Sequence, residues 1–421
     1  MILTILKKGY YIVFLFVILY VMILMFTPDS ILWKVYARTN VTYDDRQKEC
    51  KSHPNLCSLS EGNLTGKTRQ TTIKNVSDQF IHKHTINTNV EIYLRNYIQE
   101  HGVSKSCAKR RYLIYSCKKI CGGLGDRQRG IITAFLFALL TNRTFIIDST
   151  YPCELETIIE PNMYNWLHCK NYASNVPHDE RMELQLIDNG KFKTTIPSLD
   201  FGNWEKTVVD MRLNWLAFSK IRQHNSTKEL KLLKDISDED VIKIVLDVLF
   251  KPNDRMTKAI DAFFMNTTHT GLVVCAHIRV GKNPSIPTDN TNSNRHPNIT
   301  TVFSFLAKFD KPGNIIYIAS DSDEIKNAST FFFKNIITIK KKIVHVDRIG
   351  SMQRNVACEG YYTAVLEQQI LARCDTVILT ASIFGSMAAF QRGRSDNLFV
   401  YNKQTNTVES ANFHKLYGKG K

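Results

Sequence analysis

A histidine and an arginine follow an apolar run in the second half of the chain. Leu272–Ala276 is typical of a buried strand, and His277 and Arg279 come directly after it. Because side chains alternate along an extended chain, these two point to the same side of a sheet. A guanidinium offers a planar set of donors that suits a pyrophosphate, and it keeps its charge at physiological pH. The pattern predicts either a phosphate site or a salt bridge that closes the strand.

Two carboxylates follow another apolar run, Ile315–Ala319. An Asp-x-Asp pair such as Asp321 and Asp323 could hold Mn²⁺ or Mg²⁺ for a nucleotide diphosphate. Alternatively, Asp321 accepts hydrogen bonds from a base or a ribose, and Asp323 begins a helix, where aspartate is common in the first turn. Both interpretations place Asp321 beside a nucleotide.

Small residues precede two predicted helices. Gly122, Gly123 and Gly125 would let backbone N–H groups approach a phosphate at the start of an apolar helix, Gly130–Leu140. The loop has neither the Walker ending nor the GxGxxG spacing, so an ordinary strand–helix turn explains it equally well. Ser382 likewise either bonds a phosphate oxygen or caps the helix that follows it.

The elements around these residues alternate between strand and helix. In the first half, the predicted strands Tyr112–Cys117 and Thr144–Asp148 flank the helix at Gly130–Leu140. In the second half, strands are predicted at 272–276, 315–319 and 376–380, and helices at 302–309, 361–373 and 386–391. This order predicts an α/β fold whose ligands bind at the carboxyl ends of parallel strands. A helix that begins after Ser237 and stops at Pro252 marks the boundary between two lobes, 107–252 and 253–421.

An apolar segment near the start of the chain predicts a membrane anchor. Tyr10–Phe26 contains 17 residues without a charge, which reach about 26 Å as a helix and just span a thin bilayer. Lys7 and Lys8 precede it, and no small-x-small cleavage site follows, so a signal-anchor is favoured over a cleaved signal peptide. We therefore expect a cytoplasmic tail at 1–8, a span at 9–26 and a lumenal remainder. Residues 27–106 are polar and predict a stem with one helix near Val90–Glu100.

Sequons and cysteines support a lumenal location. Eight N-x-S/T sequons follow the span, and none has proline at its middle position. They predict N-glycosylation at Asn40, Asn63, Asn75, Asn142, Asn225, Asn266, Asn298 and Asn327. All ten cysteines also follow the span, which suits an oxidising compartment. Cys275, in a predicted buried strand, is a candidate for an unpaired thiol.

The composition is that of a globular chain with a basic balance. Apolar residues make up 43% and charged residues 22%, which excludes a wholly disordered, collagen-like or multi-pass membrane protein. Lysine and arginine number 55 against 39 aspartates and glutamates, and the net charge of +16 suits an anionic partner. No basic cluster alternates with aromatic residues, which argues against a nucleic-acid binder. The motifs of serine hydrolases, zinc proteases and kinases are missing from the sequence.

Four segments, in this order, resemble the fucosyltransferase group that includes the α-1,2, α-1,6 and protein O-fucosyltransferases. GGLGDRQRGIITAFLFALLTNRTFIID, Gly122–Asp148, is similar to the first conserved block of the α-1,2-like families and looks closest to the plant xyloglucan type. HIRVGK at His277–Lys282 resembles the HxRxGD block of the wider group. IASD at Ile318–Asp321 and TASIFGSMAAF at Thr380–Phe390 resemble its two later blocks.

The resemblance implies a GT-B-like fold with two Rossmann-like lobes and an inverting transfer of fucose from GDP-fucose to a glycan hydroxyl, in an α-1,2 linkage. It also implies that no metal is required. Together with the predicted anchor, it leads to the hypothesis of a single-pass type II enzyme of the Golgi membrane with a lumenal catalytic domain. By position, Arg279 would be the catalytic residue that binds the β-phosphate, and Asp321 would accept from the guanine base. The remaining donor-binding positions would be Gly123, Gly125, Asp126, Arg127, His277, Ser382, Ile383 and Phe384.

Two residues depart from the family pattern. Asp126 stands where asparagine is usual and Lys282 where aspartate is usual. A carboxylate beside a diphosphate is unfavourable unless an arginine neutralises it. These departures keep a non-catalytic glycan-binding membrane protein of the same fold open, beside a metal-dependent transferase of another nucleotide sugar that uses Asp321 and Asp323. The sequence leaves the oligomeric state open, a homo-oligomer included, and offers Asp126, Asp148 and Glu359 as candidate bases.

Overall fold

The computed structural model describes residues 88–417, apart from 104, 230–232, 234–235, 267–270, 282–295, 343 and 351. The described residues fall within one unit of the chain, Thr85–Lys421. The predicted tail and span, most of the predicted stem, the first three sequons and Lys282 lie outside them. In the part of the chain that is described, no helix has the length and apolarity to cross a bilayer.

The first half of the described chain builds a four-stranded sheet. Its elements are, in chain order, α1 (Thr88–His101), β1 (Tyr112–Cys117), α2 (Leu124–Leu140), β2 (Thr144–Ser149), β3 (Ile159–Pro161), α3 (Lys170–Ser174), β4 (Arg181–Gln185), α4 (Gly190–Thr195), β5 (Val208–Arg212), α5 (Phe218–Arg222), α6 (Asp238–Leu249) and β6 (Phe250–Pro252). The sheet has the order β2-β1-β5-β4, and every described pairing in it is parallel. β3 and β6 form a small antiparallel pair of their own.

The second half builds a six-stranded sheet. Its elements are α7 (Asp254–Asn266), β7 (Val273–Ile278), α8 (Ile299–Leu306), β8 (Ile315–Ser320), α9 (Asp323–Phe332), β9 (Ile336–Ile337), α10 (Arg354–Leu371), β10 (Thr376–Leu379), α11 (Ile383–Arg392), β11 (Leu398–Asn402), β12 (Thr407–Ser410) and α12 (Phe413–Tyr417). The order is β12-β11-β10-β7-β8-β9, and only the pairing of the edge strand β12 is antiparallel within the described residues. The predicted α/β fold with parallel sheets is confirmed. Both sheets lie in the one unit Thr85–Lys421, and the division into two lobes at 252/253 stays a prediction.

The core explains why the central strands are apolar throughout. In β7, Val273 and Cys275 face one buried cluster while Val274, Ala276 and Ile278 face another, because successive side chains alternate. All six residues of β7 are buried, as expected for a parallel strand covered on both faces. The larger cluster includes side chains from both sheets, and α2 of the first half packs on α11 of the second.

The predicted elements are observed with shifted ends. α2 begins at Leu124, earlier than the predicted Gly130, because the glycine loop already forms its first turn. α10 begins at Arg354 rather than Tyr361. α6 begins as predicted, with the Ser237 hydroxyl accepting from the amide of Asp240 at 3.1 Å.

The predicted stem extends too far along the chain. α1 packs on the core through Val90, Leu94 and Tyr97, which are at most 5% exposed. The Tyr97 hydroxyl donates to the carbonyl of Arg143 at 2.6 Å. The residues from 88 onward therefore belong to the folded unit, because burial of this apolar face holds the helix against the strands.

Three disulfides form among the described cysteines: Cys107–Cys169, Cys117–Cys121 and Cys275–Cys374. The prediction of an unpaired Cys275 is therefore wrong. β10 lies beside β7 in the sheet, and Cys374 shortly precedes β10, so the two sulfurs meet inside the core. Four of the predicted glycosylation sites are exposed: Asn142, Asn225, Asn298 and Asn327. The side chain of Asn266 lies outside the described atoms.

Candidate active site

A cavity of about 600 Å³ lies where the carboxyl ends of β7, β8 and β10 meet the amino ends of α2 and α11. This is the position at which open α/β sheets bind ligands. Most of the predicted donor-binding residues line it together: Gly123, Gly125, Asp126, His277, Arg279, Asp321, Ser382, Ile383 and Phe384. The chain folds them together from distant segments.

Arg279 and Asp321 form an ion pair at the wall of the cavity. The Arg279 side chain is 21% exposed, so its guanidinium reaches the cavity. Its own amide donates to the Thr380 hydroxyl at 2.8 Å, which ties the ends of β7 and β10 together. Asp321 also accepts from the amides of Val280 and Gly281, each at 2.8 Å. Its carboxylate thus holds the turn after β7, a role that differs from the predicted contact with a guanine base.

The ring of His277 is buried in the wall of the cavity. Its centroid lies 4.8 Å from that of Phe384. Burial lowers the pKa of His277 to about 4, so the ring is neutral at physiological pH. Among the described atoms, its Nδ1 has no hydrogen-bond partner. A methyl group at Gly385 would approach this nitrogen to 2.9 Å, so the glycine gives the ring its space.

The glycine loop brings two helices into close contact. A Cβ at Gly125 would lie 2.8 Å from Cγ2 of Ile383 and 3.0 Å from the amide nitrogen of Phe384. Gly123 caps α2, and its amide donates to the Asp126 carboxylate at 3.2 Å. The amino ends of α2 and α11 therefore meet at one side of the cavity, where both favour an anion.

Asp126 lines the cavity with Arg129 beside it. Their nearest charged atoms are 3.5 Å apart. Burial raises the pKa of Asp126, and the charge of Arg129 opposes that rise. Arg129 is thus the arginine that partly neutralises the carboxylate standing in place of the usual asparagine.

Arg127 lies beneath the loop and outside the described lining of the cavity. Its side chain is 1% exposed, and it donates to the carbonyls of Gly122 at 3.0 Å and Val346 at 3.1 Å, and to that of Tyr151. Asp347 lies 3.5 Å from the same guanidinium. Arg127 therefore holds the glycine loop against residues 346–347, and its predicted contact with the donor would be indirect.

The other two candidate bases, Asp148 and Glu359, lie outside the described lining of the cavity. Asp148 binds Lys118 at 2.9 Å, and Glu359 binds Arg255 at 2.7 Å on the surface. Neither belongs to the described lining, so Asp126 is the candidate base that the structure brings to the cavity. Asp323 is exposed in the first turn of α9, as the helix-start interpretation expects.

The lining residues that sequence reasoning missed include Thr380, His345 and Glu367. His345 faces Gly123, with its Nε2 3.8 Å from the Cβ position there, and its Nδ1 accepts from the Asp347 amide at 3.3 Å. The Glu367 side chain is 12% exposed and accepts from Lys326 at 3.0 Å. Burial raises the pKa of Glu367. His345 stands in a segment without helix or strand, and no periodicity marks it, so only the tertiary structure reveals it.

Residues 72–163 match the model of the xyloglucan fucosyltransferase family. The match includes β1, the glycine loop, α2 and β2. The resemblance to the fucosyltransferase group is confirmed. No curated protein matches the chain.

Solved structures of fucosyltransferases are similar to this chain. A point mutant of Arabidopsis thaliana FUT1 in complex with GDP is 13% identical, with a TM-score of 0.53 over 82% of this chain and 87% of that one. The fucosyltransferase NodZ from Bradyrhizobium is 15% identical, with a TM-score of 0.45 over 72% of this chain and 98% of that one. The similarity to FUT1 shows that the α/β architecture is that of a fucosyltransferase structure.

Proposed function

We propose that this protein transfers fucose from GDP-fucose to a glycan hydroxyl with inversion, forming an α-1,2 linkage. The observation that carries the proposal is the exposed face of Arg279, which lies in one cavity with the amino ends of α2 and α11. The family match over residues 72–163 and the GDP bound to FUT1 support the choice of donor.

In the proposed reaction, the bond between the anomeric carbon and the β-phosphate oxygen breaks as GDP departs. Negative charge then develops on the β-phosphate. Arg279 and the two helix ends would stabilise that charge more in the transition state than in the ground state, which lowers the barrier. The ion pair with Asp321 holds Arg279 in place at the cavity, so its guanidinium needs to move little as the charge develops.

The acceptor oxygen would attack the anomeric carbon from the face opposite to GDP and lose its proton to a base. Asp126 is the proposed base, because its carboxylate lines the cavity and burial raises its pKa. A base with a raised pKa binds a proton more readily than an ordinary carboxylate. The transfer would leave GDP, the fucosylated glycan and a protonated Asp126.

We propose that the donor is held without a metal ion. The oxygens of Asp321 already accept from Arg279 and two backbone amides, and Asp323 is exposed. This arrangement supports charge neutralisation by Arg279 over a metal held by an Asp-x-Asp pair. The alternative is a metal-dependent transferase, and the experiment below distinguishes it from metal-free binding of the donor.

The proposed location is the Golgi membrane, with residues 9–26 as a single anchor and the catalytic unit in the lumen. Three disulfides among the described residues support an oxidising compartment. Four exposed sequons support passage through the secretory pathway. The proposed partners are GDP-fucose and a glycan, without a nucleic acid.

Calorimetric titration of the detergent-extracted full chain with GDP and with UDP, each with and without EDTA, tests the donor. We expect GDP binding that survives EDTA and is lost in Arg279→Ala. Arg95→Ala is the matched control, since Arg95 is an exposed arginine paired with Glu91 on α1. Preference for UDP or loss of binding in EDTA would favour the metal-dependent alternative. A folded protein that binds neither nucleotide would favour the non-catalytic glycan-binding alternative.

A further inference from the structure

Two cysteines outside the three disulfides lie side by side across the two halves of the chain. Cys153 follows β2, and Cys358 lies in the second turn of α10. The Cys358 thiol donates to the carbonyl of Pro152 at 3.7 Å, and Pro152 directly precedes Cys153. Residues that are distant in sequence are thus adjacent in space.

A second residue of α10 fixes this register. Arg354 lies four positions before Cys358 and therefore on the same face of the helix. It donates to the carbonyl of Pro152 at 3.1 Å and to the carboxylate of Glu154 at 2.8 Å. The residues on both sides of Cys153 are therefore held by the helix face that presents Cys358.

The two thiols face each other in a closed site. Cys153 is 4% exposed, while Cys358 is half-buried. Burial and a hydrogen bond with Cys358 raise the pKa of the Cys153 thiol. Since Cys358 is the more exposed of the pair, an oxidant reaches its sulfur first.

We propose that Cys153 and Cys358 form a disulfide that joins the first half of the chain to α10. The oxidant is a disulfide compound such as oxidised glutathione. The Cys358 thiolate attacks it and forms a mixed disulfide, and one glutathione thiolate leaves. The Cys153 thiolate then attacks the Cys358 sulfur and releases the second glutathione. Two protons and two electrons leave the pair, and one sulfur–sulfur bond forms.

The bridge would hold a helix that reaches the candidate active site. α10 carries Ala364 and Glu367, which line the cavity, and Gln368, which bonds Gln128 of α2 at 2.7 Å. A covalent link near the start of α10 stabilises the contact between the halves mainly by restricting the unfolded chain. The inference rests on the oxidising compartment of the proposed function but does not depend on transferase activity. The bridge can therefore be absent in a protein that binds GDP, and present in a protein that does not.

Differential alkylation of the full chain tests the bridge. The chain, produced in a eukaryotic secretory host, is denatured without reductant and treated with iodoacetamide, then reduced and treated with N-ethylmaleimide. We expect mass spectrometry to find the maleimide on both Cys153 and Cys358, and a digest without reductant to contain a peptide pair joined through them. Acetamide on both, with maleimide on Cys275 and Cys374, would overturn the proposal. A bridge from either residue to another cysteine would overturn it too.

Serine variants provide a second measurement in the folded protein. If the bridge exists, Cys153→Ser and Cys358→Ser each lower the Tm by several degrees, and the double variant lowers it no further, because either change removes the same bond. Two independent thiols would instead give effects that add in the double variant, and that result would contradict the bridge.

Discussion

Asp126 lies where burial and a neighbouring arginine act on its pKa in opposite directions. Burial dominates and raises the pKa, and Arg129 at 3.5 Å limits the rise. The residue replaces an asparagine in the pattern that the first block resembles, so its charge is a property of this chain. Its position at the cavity makes it the residue whose substitution separates donor binding from chemistry.

We expect Asp126→Asn to reduce kcat for fucose transfer by a factor of about 10² or more, because the acceptor proton loses its base. GDP binding should stay equal or become tighter, since a negative charge leaves the neighbourhood of the diphosphate. In the unchanged protein, activity should rise with pH through the Asp126 pKa, which burial raises from its ordinary value. Steady-state rates across pH measure the change in kcat and the dependence of activity on pH. An Asp126→Asn variant with full kcat would assign the base elsewhere.

His277 gives the protein a stability that depends on pH. Its folded pKa of about 4 lies below the ordinary 6.5, so the unfolded chain binds the proton more tightly. The stability is fully present above pH 6.5 and declines as the pH falls toward 4. At pH 5 the loss amounts to about 2 kcal/mol.

Urea unfolding at pH 7.5 and pH 5 measures this loss. The unchanged protein should lose about 2 kcal/mol more than His277→Gln between the two values, because glutamine does not titrate. An equal loss in both proteins would mean that His277 is accessible to protons in the folded state.

At the scale of elements, the close contact of α2 and α11 decides the shape of the cavity. The two helices begin on opposite sides of the predicted lobe boundary and meet at Gly125. Their amino ends supply partial positive charge that no single side chain provides. The distance between the helices is therefore part of the proposed donor site.

We expect Gly125→Ala to cost about 1–3 kcal/mol of stability, because the new methyl group forces α2 away from Ile383 and Phe384. GDP affinity should fall with it, since the helix ends separate. Gly190→Ala is the matched control: a Cβ there meets no atom within 4 Å, and α4 accepts alanine in its first turn. Chemical denaturation and calorimetry measure the two effects. Unchanged GDP affinity in Gly125→Ala would mean that the amino ends of the two helices do not contribute to GDP binding.

At the scale of the whole molecule, α1 belongs to the folded unit. Its buried face meets Phe135 and Tyr164 through the ring of Tyr97, with centroids 5.7 and 5.6 Å away. His101 at the end of α1 contacts β2, where its Nδ1 lies 2.9 Å from the hydroxyl oxygen of Thr144. The helix thus completes the core of the first half.

A chain that begins at Ser106 should therefore be much less stable than one that begins at Thr85. Loss of the buried side chains of α1 exposes apolar surface on the strands and helices beneath it. Each Å² of apolar surface exposed in this way costs about 25 cal/mol of folding free energy. Thermal unfolding and size-exclusion chromatography of the two chains make the comparison. Equal Tm values would mean that α1 adds no stability to the folded unit and belongs to the stem, as the sequence predicted.

The sequence determines the order of strands and helices and the chemical types at the strand ends. Apolar runs such as Tyr112–Cys117 and Leu272–Ala276 predict buried strands because a central parallel strand must be apolar on both faces. Arg279 and Asp321 are found in this way, since polar residues at strand ends stand out against those runs.

Only the tertiary structure decides which of these residues meet. It pairs Arg279 with Asp321, turns Arg127 into the core, and adds His345 from a segment without periodicity. Cys275 meets Cys374 because two strands lie side by side in the sheet. The physical reason is that pairing depends on the packing of segments far apart in the chain, whereas periodicity records only which face of its own element a residue occupies.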